Sequence, residues 1–522
     1  MRVYKMLIVF SCMFNVFASS AQIVRKYMSD DVIKLAMYQD GNDYQKDLLL
    51  FLDMLEESHP AFSSEFIPPF DIDSLKIVGY EWGKSCPTIA QLRTYLQSIA
   101  TQLNDGHTTL LPVIDKNLIY PFMLFKENGK VYLRGVNQEY KASLGKEIIE
   151  INNQKTLKVM DSFRTLISSD NDTYFYDKVE SFMQLYSVWK DHIYCLPDST
   201  LQFKFSDGSM ISIHPISKKE INRSMLPDNL SPNSIRKNTK LPFLYEILPE
   251  KNICYLQFNA CVDQSSLRSQ YNMIKAENKI SKEAIEEKLS QVLRFDDFLA
   301  DMFKKLREEK VKTLVIDVRN NSGGNSRLCD VLLSWLKPYE DIKRFSSSTR
   351  FSKLWEESYP SLANGYKQAL LGHENSYGIG KIYSSAFLSS LKNEKGSMQG
   401  KGKEYFRLNR DNKLIFEGNI VFIQNTKTYS SAGLLISTVM DNNIGVVIGS
   451  ASSYKPCNYG DILYWELPNT NIRGTISHKV FTRPNIAKCA EASLIPTVLL
   501  TPSWLDVLGN KDICWEWILS HY

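Results

Sequence analysis

The chain has few of the residues that mark a metalloprotein or a fold held together by disulfides. Nine cysteines and seven histidines are spread over 522 residues. No Cys-x-x-Cys pair and no histidine pair at zinc-site spacing occurs. The cysteines are too sparse for a disulfide framework in a chain of this length. The sequence therefore predicts no structural metal and no cofactor.

An excess of charge of either sign is also absent. The chain has 62 basic and 58 acidic residues, a net charge of +4, and the charges are spread rather than blocked. This balance gives no reason to expect a nucleic-acid partner. Apolar residues make up 43% and charged residues 23%, values that are typical of globular proteins. At roughly 100–200 residues per domain, the length suggests two to four domains.

One apolar run stands out, at the amino end. Arg2 and Lys5 precede a nearly apolar stretch, Met6 to Phe17, and small residues follow from Ala18 to Ala21. This is the order of a secretory signal peptide. The apolar run of about 12 residues is shorter than the roughly 20 that a spanning helix needs. We therefore predict a signal peptide over 1–21, no stable membrane span, and a secreted, periplasmic or cell-surface protein.

The first half of the mature chain divides into a helical and a β-rich segment. Apolar residues recur at helical spacing in Tyr44 to Met54 and in Ile89 to Leu103, which predicts a helical N-terminal domain over 22–115. Short strand patterns fill 116–215. Within that segment Gly145 to Asn153, followed by a helix-like stretch, resembles a PDZ domain, which binds peptides at a sheet edge. A plain small β domain is the alternative.

The second half has the pattern of an α/β domain. Residues 216–247 are polar with scattered proline and asparagine, which predicts a linker. From 248 to 522 strands alternate with helices, which indicates a sheet with parallel pairs covered by helices. Three of its predicted strands are Thr313 to Val318, Ile420 to Gln424 and Gly445 to Gly449.

Each of these three strands is followed by a loop with reactive or small residues. In open α/β sheets ligands bind outside the carboxyl ends of the strands, so the loops converge if the strands are parallel neighbours. Ser430 lies at a strand-to-helix junction, where the helix dipole favours a developing oxyanion. Gly323 and Gly324 can offer backbone N–H groups to a tetrahedral intermediate. Lys455 is a candidate base if burial keeps it neutral.

Taken singly, each of these elements has an ordinary explanation. The Asn-Ser-Gly-Gly sequence ending at Gly324 is a common turn, and the Thr-Tyr-Ser-Ser sequence around Ser430 is a common helix cap. A lone lysine such as Lys455 is usually solvated. The functional interpretation therefore depends on the three loops acting together.

Together the loops resemble a known family. Leu314 to Gly324, Asn425 to Gly433 and Lys455 to Asp461 are similar to the tail-specific or C-terminal processing proteases and their tricorn-like relatives. The resemblance spans about 250–522, with a weaker match at Asp105 to Thr108. It implies a ClpP/crotonase-like catalytic fold with a mixed sheet and helices. It also implies a serine-type peptidase that hydrolyses peptide or protein substrates through an acyl-enzyme.

The resemblance assigns the nucleophile and the oxyanion hole residue by residue. Ser430 matches the family's nucleophile. Gly323 or Gly324, together with the N–H of Ser431, matches its oxyanion hole.

Two residues match the general bases of two branches of the family. Lys455 lies 25 residues after Ser430, the spacing of the lysine base in the processing-protease branch. His107 matches the histidine of the tricorn-like branch, for whose downstream glutamate Glu491 is the candidate. We favour His107, because the residues after Lys455 are more similar to the tricorn-like branch.

Two other functions stay open. Gly433 stands where the family usually has an acidic residue, so the chain could be a catalytically degenerate relative that binds peptides or another ligand. Another serine acyl hydrolase is the second alternative, because Ser452 to Lys455 and Ser389 to Lys392 have Ser-x-x-Lys spacing. Against it, the Lys-Thr-Gly element is absent, and no Gly-x-Ser-x-Gly elbow surrounds Ser430.

Overall fold

The structure is a computed structural model. It describes residues 25–26, 40–85, 88–111, 118–193, 199–225, 234–268, 282–394 and 406–522. The predicted signal peptide, residues 1–21, lies outside these ranges. No helix within them has both the length and the apolar character needed to cross a membrane.

The chain divides into two compact units. The first unit comprises the residues up to 84 and residues 239–499. The second unit comprises residues 85–238 and 500–522.

The first unit is built around a six-stranded sheet. Its strands lie in the order Phe243–Leu248, Ile253–Phe258, Thr313–Asp317, Asn419–Gln424, Val446–Gly449 and Val498–Leu499. The first pair is antiparallel and every later pair is parallel. All side chains of the second and third strands are buried, as expected for parallel strands covered on both faces. The predicted α/β class is confirmed, and the three loop-bearing strands are parallel neighbours.

The helices of the first unit follow from the apolar pattern of the sequence. In Phe295–Glu308 the apolar side chains at helical spacing, among them Leu299 and Met302, are buried. Ser431–Asp441 is buried on all sides from Ser431 to Val439, as expected for a helix without a polar face. The other helices are Asp43–Ser58, Ile72–Gly83, Lys282–Leu289, Arg327–Leu333, Lys353–Ser358, Pro360–Ala369 and Ser385–Glu394.

A second, mainly antiparallel sheet completes this unit. Its strands lie in the order Arg25–Lys26, Asn458–Glu466, Arg473–Thr482, Ser346–Arg350 and Ile382–Ser384. The helix Asp43–Ser58 packs against it, with the rings of Phe51 and Trp465 5.4 Å apart. The Arg350 guanidinium donates to the carbonyl of Glu57 at 2.9 Å. The predicted N-terminal helical segment, 22–115, therefore divides between the two units, because the second unit begins at residue 85.

The second unit combines small antiparallel sheets with helices. Its strands are Thr109–Leu110, Leu118–Ile119, Phe122–Glu127, Lys130–Asn137, Ile148–Ile151, Gln154–Lys155, Leu201–Phe205, Met210–Ile213, Ile216–Ser217 and Arg223–Met225. Its α-helices are Ile89–Thr101, Thr156–Asp161, Asp172–Met183, Tyr186–Val188, Trp504–Leu508 and Ile513–His521. Buried aromatic side chains, including Phe163 and Phe203, form its core. The PDZ-like character of 116–215 stays a prediction.

Two segments differ from the sequence-based description. Phe243–Leu248, at the end of the predicted linker, is a strand that pairs with Ile253–Phe258. Residues 500–522, which the sequence pattern groups with the catalytic domain, pack in the second unit. There the Trp504 ring stacks on Tyr132 with centroids 4.5 Å apart. Such contacts join residues far apart in the chain, so local patterns cannot indicate them.

Candidate active site

The three loops predicted to converge follow adjacent strands of the central sheet. Thr313–Asp317 pairs with Asn419–Gln424, which in turn pairs with Val446–Gly449, both in parallel. Asp317 lies opposite Ile423, so the first two strands end level with each other. The three loops therefore leave the same edge of the sheet.

Hydrogen bonds hold the first two loops together. The N–H of Tyr429 donates to the carbonyl of Asn321 at 3.0 Å. The side chain of Asn425 donates to that of Asn320 at 2.9 Å and accepts the N–H of Asn320 at 3.0 Å. The third loop joins them, because the N–H of Ser453 donates to the carbonyl of Thr426 at 3.0 Å.

Ser430 occupies a strained position at the start of the helix Ser431–Asp441. Its backbone has φ 51° and ψ −124°, in the positive-φ region that residues other than glycine rarely adopt. Such conformations cost on the order of 1–3 kcal/mol each and cluster at functional sites. The Ser430 side chain makes no cap hydrogen bond to the helix. The ordinary helix-cap explanation for this serine is therefore wrong.

Gly323 and Gly324 lie in a loop that cannot accommodate side chains. Both have positive φ, 101° and 130°. A Cβ on Gly323 would lie 2.7 Å from the Cβ of Ser430 and 2.9 Å from the nitrogen of Ser431. A Cβ on Gly324 would lie 2.4 Å from the carbonyl oxygen of Cys261. The glycines thus allow this loop to pack directly against the start of the Ser430 helix.

The backbone donors near Ser430 are not equivalent. The N–H of Gly323 donates to the side-chain oxygen of Asn321 at 2.9 Å. Within the described part of the chain, the N–H groups of Gly324 and Ser431 have no hydrogen-bond acceptor. The Ser431 hydroxyl donates to the Gly324 carbonyl at 2.7 Å and so links the two loops. Of the two predicted glycines, Gly324 is therefore the one whose N–H has no acceptor among the described residues.

A buried ion pair fixes the start of the glycine loop. Asp317 and Arg319 are 0% and 2% exposed, and the guanidinium contacts the carboxylate at 2.8 Å. The Tyr255 hydroxyl donates to the same carboxylate at 2.5 Å. Since a buried carboxylate needs such partners, this cluster holds the chain rigidly as it leaves the strand.

Lys455 lies on the third loop beside a tightly packed tyrosine. Lys455 is half-buried, whereas Tyr454 is buried. A Cβ on Gly433 would lie 2.1 Å from the Tyr454 ring, so the ring occupies the space that a side chain at 433 would need. The departure from the family at Gly433 therefore has a packing explanation.

Glu491 belongs to an ion-pair cluster within the first unit. Its carboxylate lies 3.4 Å from the guanidinium of Arg483, which also pairs with Asp441 at 2.5 Å. Arg483 and Asp441 are buried, whereas the Glu491 side chain is 42% exposed. A disulfide between Cys457 and Cys489 lies close by, since the Arg483 N–H contacts the Cys457 sulfur at 3.4 Å. Neither the disulfide nor the Arg483 pairings were predicted.

His107 lies in the second unit, next to two buried carboxylates. Its Nδ1 is 3.5 Å from the Asp105 carboxylate. Ligand atoms of Asp105, His107 and Asp170 lie within 4.8 Å of one another, an arrangement that could hold a metal ion. The sequence singled out His107 but not Asp170, which is distant in the chain and has no motif of its own.

The structure thus brings together four of the predicted site residues. Ser430, Ser431, Gly323 and Gly324 form one continuous site on the first unit. Lys455 lies on the loop joined to this site through Thr426, as described above. Glu491 pairs with Arg483, and His107 lies in the other unit.

Comparisons with known proteins agree with this architecture. The model of peptidase family S41 matches residues 287–457. The structure of mature CPAF superposes with a TM-score of 0.60 at 12% identity, covering 92% of this chain and 95% of that one. Mature CPAF complexed with lactacystin gives a TM-score of 0.58 at 12% identity, over 92% and 97% of the chains. The photosystem II D1 C-terminal processing protease gives 0.40 at 12% identity, over 90% and 98%. No protein of curated function matches the sequence.

The family match covers the segment that carries the Ser430 loop, the glycine loop and Lys455. The structural match to CPAF extends the shared fold to most of the chain. The match over 287–457 therefore supports an assignment of this segment to peptidase family S41, the tail-specific proteases, and of the protein to the hydrolases of the serine peptidase class.

Proposed function

We propose that the chain is an exported serine peptidase that hydrolyses peptide bonds through an acyl-enzyme on Ser430. The conformation of Ser430 carries this proposal. It is a half-buried serine at positive φ whose side chain does not cap its helix, and it faces a loop of two glycines. A fold has little reason to retain such strain in a purely structural turn.

The geometry supports the following steps. A base removes the hydroxyl proton of Ser430 while Oγ attacks the carbonyl carbon of the scissile bond. The N–H groups of Gly324 and Ser431 stabilise the oxyanion, each worth about 10²- to 10³-fold in rate. The positive end of the helix Ser431–Asp441 adds to this stabilisation. The protonated base then protonates the leaving amine, and water hydrolyses the ester to regenerate Ser430.

The base is one of two residues. A lysine acts as a base only where burial removes its charge, and Lys455 is half-buried. A histidine needs no such burial, because an unperturbed imidazole can already accept a proton near neutral pH. We therefore keep His107 as the favoured base and Lys455 as the alternative. Glu491, the third catalytic residue predicted from the family, is held by Arg483.

A fluorophosphonate probe tests the nucleophile directly. We expect one covalent adduct by intact mass, which peptide mapping assigns to Ser430 and which Ser430→Ala abolishes. Ser437→Ala is the matched control, because Ser437 lies on the same helix and donates to the Leu434 carbonyl. Lactacystin, which is bound in one CPAF structure, is a second probe for this site.

The two alternative functions predict different results in the same assay. A folded protein without any adduct would identify a catalytically degenerate binder and overturn the proposal. An adduct on Ser430 with turnover of ester substrates, but of no peptide in a diverse panel, would identify another serine acyl hydrolase. An adduct together with peptide cleavage supports the peptidase.

Export is the part of the proposal that depends on the sequence alone. The charged, apolar and small-residue order of residues 1–21 carries it. We expect the protein purified from its native cell to begin near Gln22 by amino-terminal sequencing. A chain that still begins at Met1 and fractionates with cytoplasmic proteins would rule out cleavage and export.

A further inference from the structure

The turn that carries His107 is closed by two buried carboxylates. Asp105 accepts the N–H of His107 at 2.9 Å and the hydroxyl of Thr108 at 2.6 Å. Asp170 accepts the N–H of Gly106 at 2.6 Å, across 64 positions of the chain. The backbone on both sides of the histidine is therefore anchored, and its Cα has little freedom to move.

The same carboxylates face the imidazole. Nδ1 of His107 lies 3.5 Å from Asp105, an ion-pair distance, and the His107 side chain is 15% exposed. The nearest ligand atoms of Asp105, His107 and Asp170 lie within 4.8 Å. A carboxylate beside Nδ1 favours the tautomer with its proton on that nitrogen, which leaves Nε2 to act as the base.

A phenol near these carboxylates adds no charge of its own near neutral pH. Tyr174 lies on the helix Asp172–Met183. Desolvation, followed by the charges of Asp170 and Asp105, raises the pKa of its phenol. Asp105, on the same turn, and Asp170, on the neighbouring segment, each bring a carboxylate close to His107.

We propose that Asp105 is a positioning residue for the general base. Its carboxylate orients the His107 imidazole through Nδ1 and stabilises the imidazolium that forms during catalysis. Asp170 holds the turn in which this happens. The proposal rests on His107 being the base of the proposed function.

Glu491, the acidic partner implied by the family resemblance, contacts a different group. Its carboxylate pairs with Arg483, and its side chain is 42% exposed. Asp105, by contrast, is buried and adjacent to the imidazole. The structure therefore assigns the orienting role to a residue two positions from the histidine.

Asp105→Asn in the full-length protein is the test, with two readouts. The first is the acidic limb of the pH profile of kcat/KM. The second is the pH midpoint of carbethoxylation of His107 by diethyl pyrocarbonate, followed by mass spectrometry, which needs no activity. Loss of a facing carboxylate disfavours the imidazolium, so both are expected to move to lower pH by roughly one unit. We expect kcat to fall more than KM rises.

Two further variants keep the test decisive. Asp170→Asn is expected to move the carbethoxylation midpoint in the same direction, and it replaces Asp105→Asn if that protein does not fold. Asp172→Asn is the matched control, because Asp172 is exposed at the start of its helix and should move neither readout.

Three outcomes would overturn the proposal. The first is an unchanged midpoint in both test variants, which would make Asp105 merely structural. The second is a moved midpoint with an unmoved kinetic limb, which would mean that His107 is not the base although Asp105 faces it. The third is protection of His107 from carbethoxylation by zinc alone. If zinc protected the wild-type protein but not the Asp170→Asn variant, the cluster would be a metal site. Failure of the peptidase proposal itself would give a different result from all three. In that case the fluorophosphonate probe would not label Ser430, whatever the pH midpoint of carbethoxylation of His107.

Discussion

Replacing Ser430 with alanine is expected to lower kcat/KM for a peptide substrate by ~10⁴- to 10⁶-fold, as loss of a serine nucleophile does in other serine peptidases. The substitution removes one oxygen that does not cap the helix. Alanine keeps the Cβ that packs against Gly323, so the backbone strain and the loop contact are unchanged. The measurement is steady-state turnover of a cleavable peptide, with thermal unfolding as the check on folding.

Ser437→Ala controls for the loss of a hydroxyl from the same helix. Ser437 is fully buried and donates to the Leu434 carbonyl at 3.0 Å, so its loss should affect stability rather than turnover. We expect its kcat/KM to stay within a few-fold of the wild type. If a folded Ser430→Ala protein cleaved peptide at the wild-type rate, the acyl-enzyme mechanism would be wrong.

The central sheet could be predicted because its signal is local. Buried parallel strands appear as short apolar runs, and these runs predict Thr313–Asp317 and Asn419–Gln424 to within one or two residues. The helix Ser431–Asp441 was recognised for the same reason. Once the strands are adjacent and parallel, the loops at their carboxyl ends must lie together, so the position of the Ser430 loop beside the glycine loop followed from the pattern.

The partners of the predicted residues could not be found in this way. Asp170 touches the His107 turn across 64 positions, and no periodicity or motif points to it. Arg483 and Asp441 form a buried pair across 42 positions, and the disulfide of Cys457 and Cys489 spans 32. Such contacts depend on the tertiary path of the chain. A single sequence carries no signal for them.

The conformation of Ser430 lies between these two cases. Its place at the end of a strand and the start of a helix was readable from the apolar pattern. Its positive φ was not, because Thr-Tyr-Ser-Ser has the composition of an ordinary cap. The strained residue also packs against Gly323, a contact between two loops 107 positions apart. The feature that best supports catalysis is therefore one that only the tertiary structure reveals.

Loss of the general base is expected to cause the second large fall in kcat/KM. Paired substitutions distinguish the two candidates for this base. His107→Ala is expected to lower kcat/KM by ~10²- to 10⁴-fold, the usual contribution of a general base. Lys455→Ala is expected to cost less than about tenfold, since with His107 as the base Lys455 takes no part in proton transfer. Both are measured with the same peptide over a range of pH.

The shape of the pH profile distinguishes the two bases more firmly than the size of either loss. With His107 as the base, activity falls on the acidic side of the profile, where the imidazole becomes protonated and can no longer accept a proton. Lys455→Ala should retain that acidic limb, while the residual activity of His107→Ala should lose it.

His214→Ala and Lys413→Ala are the matched controls, because both side chains are exposed and lie outside the loops of the site. A Lys455→Ala protein that is nearly inactive, beside a His107→Ala protein that keeps its rate and its acidic limb, would reverse the assignment. The enzyme would then use a Ser430–Lys455 dyad, and the Asp105 proposal would fail with the histidine it depends on.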